Sequence, residues 1–187
     1  MEKVNHLITD RWSPRAFDDR AVDYDKIHLL FEAAKWAPSS RNAQPWRFIF
    51  ATKEMPDYKT FIDLMNEGNK EWASTAPLLV MPLAQVISTY KNRTNRLAFY
   101  ETGMAVGNLL VQATDMGLMV HQLSGYDEEK AKEVLVIPTR YEPMSILAIG
   151  YKGEPAKLPS DVAAWEQRER TRMEISKFLV QGKCKQT

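Results

Sequence analysis

"AAKWAPSSRNAQPWRFIF", residues 33–50, decides how the fold is read. Its opening residues close a pattern in which Ile27, Leu30, Phe31 and Ala34 recur at helical spacing, so a helix capped by Asp23 or Asp25 runs into it. The helix stops before Pro38, because the residue preceding a proline avoids helical backbone. Ser39, Ser40, Asn42 and Gln44 then form a polar bend pinned between Pro38 and Pro45. "WRFIFAT", 46–52, is aromatic and β-branched, and reads as a strand.

Outward from this unit, residues 2–10 suggest a short helix with Val4, Leu7 and Ile8 on one side, and 56–66 a further helix. "PLLVMPL", 77–83, reads as a strand whose Pro82 argues for an edge or a strand end. Residues 93–116 carry the longest helical pattern, apolar on most sides and so expected to be buried. Within it Gly103 and Gly107 lower helix propensity but let another backbone approach closely. "LMVHQLSG" (118–125) and "SILAIGYK" (145–152) read as strands, with a capped helix, "DEEKAKEVLVI" (127–137), between them. About four strands and five helices in mixed order define an α+β or α/β layer fold.

The 187 residues suit one domain, 1–187, in which 152–187, opened by Pro155 and Pro159, forms a C-terminal arm. Lys+Arg 25 against Asp+Glu 24 lacks the basic excess of a nucleic-acid binder. One cysteine, Cys184, cannot make an internal disulfide and reads as an exposed thiol rather than a nucleophile. The amphipathic start "MEKVNHLITD" is not a signal peptide, and no apolar run reaches the roughly 18 residues of a membrane span. A cytoplasmic protein with no nucleic-acid and no membrane partner is expected.

The common machinery for phosphate loops, serine hydrolysis and zinc is missing: there is no GxGxxG, GxxxxGK[ST] or GxSxG, and His6, His28 and His121 lie far apart. An enzyme of this sequence would rely on a bound cofactor for its reactive chemistry. Three polar groups suit a phosphorylated planar molecule. Arg11, Ser13 and Arg15 in "DRWSPRAFDD" (10–19) offer guanidinium forks and a hydroxyl to an anion. Ser39, Ser40, Asn42 and Gln44 offer neutral donors and acceptors to a ring edge. Arg168, Arg170 and Arg172 share one side if their segment is extended. The competing reading of that last group is a surface helix over 163–179, in which Glu166, Glu169 and Glu174 pair with the arginines.

At this point the sequence resembles the FMN-dependent nitroreductase family over roughly residues 4–177. "RWSPRAFDD" (11–19) is similar to its R-x-S-x-R/K-x-F opening, and "AAKWAPSSRNAQPWRFIF" to its A-P-S-x-x-N-x-Q-P-W-x-F segment. "GNKEWASTAPLLV" (68–80) resembles the segment with the family's flavin-side Asn, and "ETGMAVGNLLVQATDMGL" (101–118) its central helix. "VHQLSGYD" (120–127) and "YEPMSILAIGY" (141–151) resemble its later strands and turn, and "RTRMEI" (170–175) stands where the family has a terminal basic pair.

The resemblance implies an α+β fold: a nitroreductase-like α/β sandwich, its central mostly antiparallel sheet flanked by helices, forming an obligate homodimer with FMN at the subunit interface and the 152–187 arm expected to pack on the partner subunit. Arg11, Ser13 and Arg15 would hold phosphate, ribityl and pyrimidine oxygens, with Trp12 adding a backbone contact and Arg15 stabilising the anionic reduced flavin. Arg170 and Arg172 would close on the phosphate. Pro38, Ser39, Ser40 and Asn42 would reach across the dimer to the flavin, with Gln44 nearby or supporting the loop. Asn69 would bond the ring or ribityl, and Leu123, Ser124 and Gly125 would run along the isoalloxazine. Arg41, Tyr90, Phe99 and Tyr100 would line the substrate pocket; the three aromatics either replace the lid of larger members or are core or dimer residues. The implied activity is that of an FMN-dependent oxidoreductase using NADH or NADPH to reduce nitroaromatics, quinones or a related small-molecule electron acceptor by ping-pong hydride transfer, the flavin and no side chain carrying the chemistry. The alternative is an FMN-binding storage or regulatory protein without efficient turnover.

Overall fold

The computed structural model describes residues 3–183; Cys184 lies outside them. Along the chain run α1 (His6–Thr9), α2 (Tyr24–Lys35), β1 (Trp46–Thr52), α3 (Asp57–Leu64), α4 (Glu67–Ala73) and β2 (Leu78–Gln85). There follow α5 (Ala98–Asp115), β3 (Met119–Leu123), α6 (Glu128–Val134), β4 (Tyr141–Pro143), β5 (Ile146–Gly150) and α7 (Ser160–Glu166). The sheet order is β1-β2-β5-β3, β4 also pairs with β2, and all the pairings are antiparallel.

Alternate residues of the central strands enter opposite cores, which makes the sheet the middle layer of a sandwich. Leu79, Met81 and Leu83 of β2 and Ile146 and Ala148 of β5 pack in one cluster, with Phe61, Trp72, Ala131 and Val162 from α3, α4, α6 and α7. Leu78, Val80, Leu147 and Ile149 face the other, with Leu30 and Ala34 of α2 and Ala105 and Leu109 of α5. Both faces are covered, so these strands read as unbroken apolar runs rather than as polar–apolar alternation.

Pro82 is not at an edge. It lies in the central strand β2, opposite Phe48 of β1. On its other side Val80 faces Leu147 while Leu83 faces Pro143, so β4 and β5 carry one extra residue between them. That bulge sits beside Pro82, whose carbonyl accepts from the Met144 N–H at 3.0 Å. A bulge is where a sheet tolerates a residue without an N–H.

Three further expectations shift. The long helix begins at Ala98, not 93, and only one of its faces is buried; Phe99, Tyr100 and Val111 are exposed. Nothing approaches within 4 Å of a Cβ built at Gly103 or Gly107, so the close packing expected there is not made within this chain. The helix considered over 163–179 spans only Ser160–Glu166, and residues 167–174 leave it. Asp23 holds the cap position of α2, although its side chain makes no capping bond. No helix among the described residues is long and apolar enough to cross a membrane.

Candidate functional site

The two ends of the chain meet in one cleft. Phe17 forms a bridge with Lys152, and the Gly153 N–H donates to the Ala16 carbonyl at 2.9 Å. The contact demands glycine, because a Cβ at residue 153 would fall 2.4 Å from the Phe17 backbone. The chain after β5 is thereby laid along the 11–17 segment, and α7 joins its own subunit's core through buried Val162. Glu166, at the end of α7, accepts from the Arg15 N–H at 2.8 Å and lies 4.0 Å from the Arg15 guanidinium. The Arg170 guanidinium donates to the Arg11 carbonyl at 2.8 Å and sits 5.1 Å over the Trp12 ring. The result is a cleft of about 340 Å³ whose lining includes Arg11, Ser13, Arg15, Arg170 and Arg172.

Positive charge is crowded here. Burial first, then Arg172 and Arg170, hold the Arg11 guanidinium below its usual pKa. Arg11 donates to the Ser13 hydroxyl at 2.8 Å. Among the described residues Arg15 alone of the cleft's arginines has a carboxylate partner. Glu166, expected beside the C-terminal arginines if at all, serves Arg15 instead. Glu166 and Glu169 also line the cleft, but Arg11, Arg170 and Arg172 have no carboxylate within ion-pair distance among the described residues, and such guanidiniums suit an anion with several acceptor oxygens.

His121, on β3, supports this cleft from behind. Its Nδ1 lies 2.8 Å from the Pro14 carbonyl, which can only accept, so Nδ1 carries the proton. The ring packs against Trp72 at 4.3 Å between centroids. Burial pushes the imidazole pKa down to about 4, against the opposing pull of the Pro14 carbonyl. The neutral imidazole fixes the backbone between Ser13 and Arg15. Nothing in the sequence distinguishes this histidine from His6 or His28; only strand pairing places it beneath Pro14.

A second cluster joins Asn69 to the turn after β3. The Asn66 N–H and the Asn69 side-chain amide both donate to the Gly125 carbonyl, at 3.0 and 3.1 Å. A Cβ at residue 125 would meet the Asn66 and Asn69 amides at 2.3 and 2.6 Å. Leu123 is committed to the core, while Ser124 is exposed at the turn.

The 39–44 bend stands apart from the arginine cleft within one subunit. Arg41, Asn42 and Gln44 adopt left-handed backbone, with φ of 54°, 55° and 47°. The bend is held by the Gln44 N–H donating to the Ser39 hydroxyl at 3.0 Å, and by the Gln44 side chain donating to the Asn42 carbonyl at 3.4 Å. It is also held by buried Glu101 on α5, which accepts from the Ser40 N–H at 2.7 Å. Pro38 is exposed before it. Ser40 and Arg41 line a separate cavity of about 660 Å³ with Tyr90 and Arg93, while Phe99 and Tyr100 do not line it. Tyr90, Phe99 and Tyr100 are 60%, 51% and 68% exposed, which removes the core reading of these aromatics. Glu101 has no sequence signal of its own; it is one acidic residue in an apolar helix.

Comparison with known proteins gives this architecture its class. The chain belongs to the Nitroreductase family, whose sequence model matches residues 8–151. It is 25% identical to a Streptococcus pyogenes protein named "Putative NAD(P)H nitroreductase", over 85% of this chain and 96% of that one. It is 28% identical to an Archaeoglobus fulgidus protein named "Putative NADH dehydrogenase/NAD(P)H nitroreductase", over 81% and 86%. A solved "oxidoreductase containing FMN" superposes with a TM-score of 0.91 at 31% identity, over 97% of this chain and 93% of that one. The expected sandwich with an antiparallel sheet is the fold observed.

Proposed function

We propose that this protein is an FMN-dependent oxidoreductase that takes electrons from NADH or NADPH and passes them to a nitroaromatic, a quinone or a related small acceptor. The observation that carries the reading is the convergence of Arg11, Ser13 and Arg15 with Arg170 and Arg172 on one cleft. Its donor set is that of a phosphate site, and its crowded charge favours a dianion over a neutral ligand. The solved relative that contains FMN, at 31% identity, and the names of the curated relatives support the same reading.

FMN supplies hydride acceptance and release, which no side chain here could replace. The chain's residues bind and orient. Arg11, Arg170 and Arg172, with the Ser13 hydroxyl, hold the phosphate, and Trp12 gives a backbone contact. Neutral His121 keeps Pro14, and so the spacing of Ser13 and Arg15, fixed. Arg15 would stand at the pyrimidine edge, its charge tempered by Glu166. Asn69 and the Leu123–Gly125 turn border the ring. Pro38, Ser39, Ser40 and Asn42, supported by Gln44, come from a second copy of the chain, because none of them lines the arginine cleft of its own subunit and Ser40 lines a different cavity. An exposed face of α5, with Phe99, Gly103 and Val111 at spacings of four and eight residues, and exposed Ile175, Phe178 and Leu179 in the 152–187 arm give such a homodimer apolar surface to bury. Nicotinamide donor and acceptor use one pocket in turn. A single cysteine suits a cytoplasmic setting.

The test is an absorbance spectrum of the purified protein. Bound flavin that bleaches anaerobically on adding NADH or NADPH, and recovers with a nitroaromatic or quinone, is the expected result. Protein that is colourless and takes up no added FMN refutes the reading.

A further inference from the structure

The cavity between the 39–44 bend and the 88–97 segment has an unusual charge layout. Its lining includes Ser40, Arg41, Tyr90, Arg93, Asn95 and Glu101, and among the described residues Glu101 is its only acid. That acid is almost wholly shielded from solvent: Glu101 is 3% exposed, one oxygen accepts from the Ser40 N–H, and the other is buried without a partner. Arg41 and Arg93 are exposed, and neither has a carboxylate within ion-pair distance among the described residues.

Both guanidiniums stand on ordered backbone. Arg93 closes a tight hairpin in which the Ser88 N–H donates to its carbonyl at 2.8 Å, Ile87 bridges Thr94, and Lys91 and Asn92 take left-handed turn conformations. Arg41 projects from the bend that Glu101 clamps. Tyr90 adds an aromatic surface to the same lining: the Arg41 guanidinium sits 5.9 Å and the Lys91 ammonium 5.2 Å from its ring centre.

We propose that this cavity binds a planar aromatic carboxylate, its ring against Tyr90 and its acid group on Arg41 and Arg93, and that these two arginines select an acidic electron acceptor. Guanidinium forks match a carboxylate, an aromatic ring prefers another aromatic face, and holding both groups beforehand lowers the entropic cost of binding. Glu101 is a positioning residue: it holds Ser40 so that Arg41 reaches the cavity. The acceptor role rests on the oxidoreductase reading above; the binding of the acid does not.

Two measurements separate them. With the FMN-loaded protein, kcat/KM is compared for 4-nitrobenzoate and its neutral isostere 4-nitrobenzamide. A preference of about tenfold for the acid at low salt is expected, the size of one charged hydrogen-bonded contact. It should shrink with added salt and fall to near unity in the Arg41→Gln/Arg93→Gln double variant. Using the ratio cancels any general loss from the substitutions. Separately, calorimetric titration with benzoate and benzamide reads charge-selective binding without turnover. Selective benzoate binding in a protein that never reduces flavin would defeat the oxidoreductase reading and sustain this one. A wild-type ratio near one, a ratio unchanged in the double variant, or equal binding of benzoate and benzamide would overturn the proposal.

Discussion

Acidifying the protein should weaken it through His121 in a way that one substitution removes. The imidazole has a pKa of about 4 in the fold against an ordinary 6.5. Above pH 6.5 the ring is neutral in folded and unfolded chains alike, and the fold keeps its full stability. As pH falls from 6.5 towards 4 the unfolded chain takes up a proton that the folded chain refuses, so stability drops; below 4 both forms are charged and this loss ends. At about 1.4 kcal/mol per pKa unit the full swing is about 3 kcal/mol, a substantial part of the stability of an ordinary domain. Urea unfolding between pH 4 and 7 measures it. His121→Gln keeps a donor for the Pro14 carbonyl but cannot titrate, so its stability curve should be flatter than that of the wild type over this interval. Exposed carboxylates such as Glu32 and Asp63 titrate lower and are common to both proteins, so the difference between the curves isolates residue 121. Parallel curves would show that His121 is not held neutral, and the account of how Pro14 is pinned would fail.

Arg172→Gln should weaken FMN binding about tenfold while changing riboflavin binding far less, since riboflavin lacks the phosphate; fluorescence titration of both flavins checks this, and equal losses would place Arg172 elsewhere. Gly125→Ala should cost about 1–3 kcal/mol in unfolding experiments, because its new methyl group meets the Asn66 and Asn69 amides. Val136→Gly should raise the melting temperature by about 2–4 °C: residue 136 has φ 53°, which costs a β-branched side chain about 1 kcal/mol, and at 82% exposure it has little packing to lose. A lower melting temperature would mean that Val136 makes contacts the fold depends on.

What was legible in the sequence was what depends on local chemistry. β1 could be read to its end residues, Trp46 and Thr52, because Pro45 fixes its start and aromatic residues fill it. The arginines of the cleft stood out by type, since a guanidinium suits phosphate wherever it lies. Pro82 misled because a proline's tolerance in a sheet depends on its neighbours' register, and the bulge that accommodates it belongs to residues some sixty positions later. β4 is three residues long and has no periodicity to detect. His121, Glu101 and Glu166 were invisible as supporting residues for one shared reason: each bonds a backbone group 61 to 151 positions away, and no local pattern encodes that.

The hydrogen bond between Arg170 and the Arg11 carbonyl spans 159 positions, and it orders events in the life of the chain. During translation the Arg11–Arg15 side of the cleft is made well before the Arg170 side and waits, incomplete, until the later segment leaves the ribosome. A nucleotide cannot template early folding of such a chain. If the cleft holds the flavin phosphate as proposed, loading can only follow completion of both sides, and it would serve as a checkpoint at which polypeptides cut short before residue 172 fail to take up the prosthetic group.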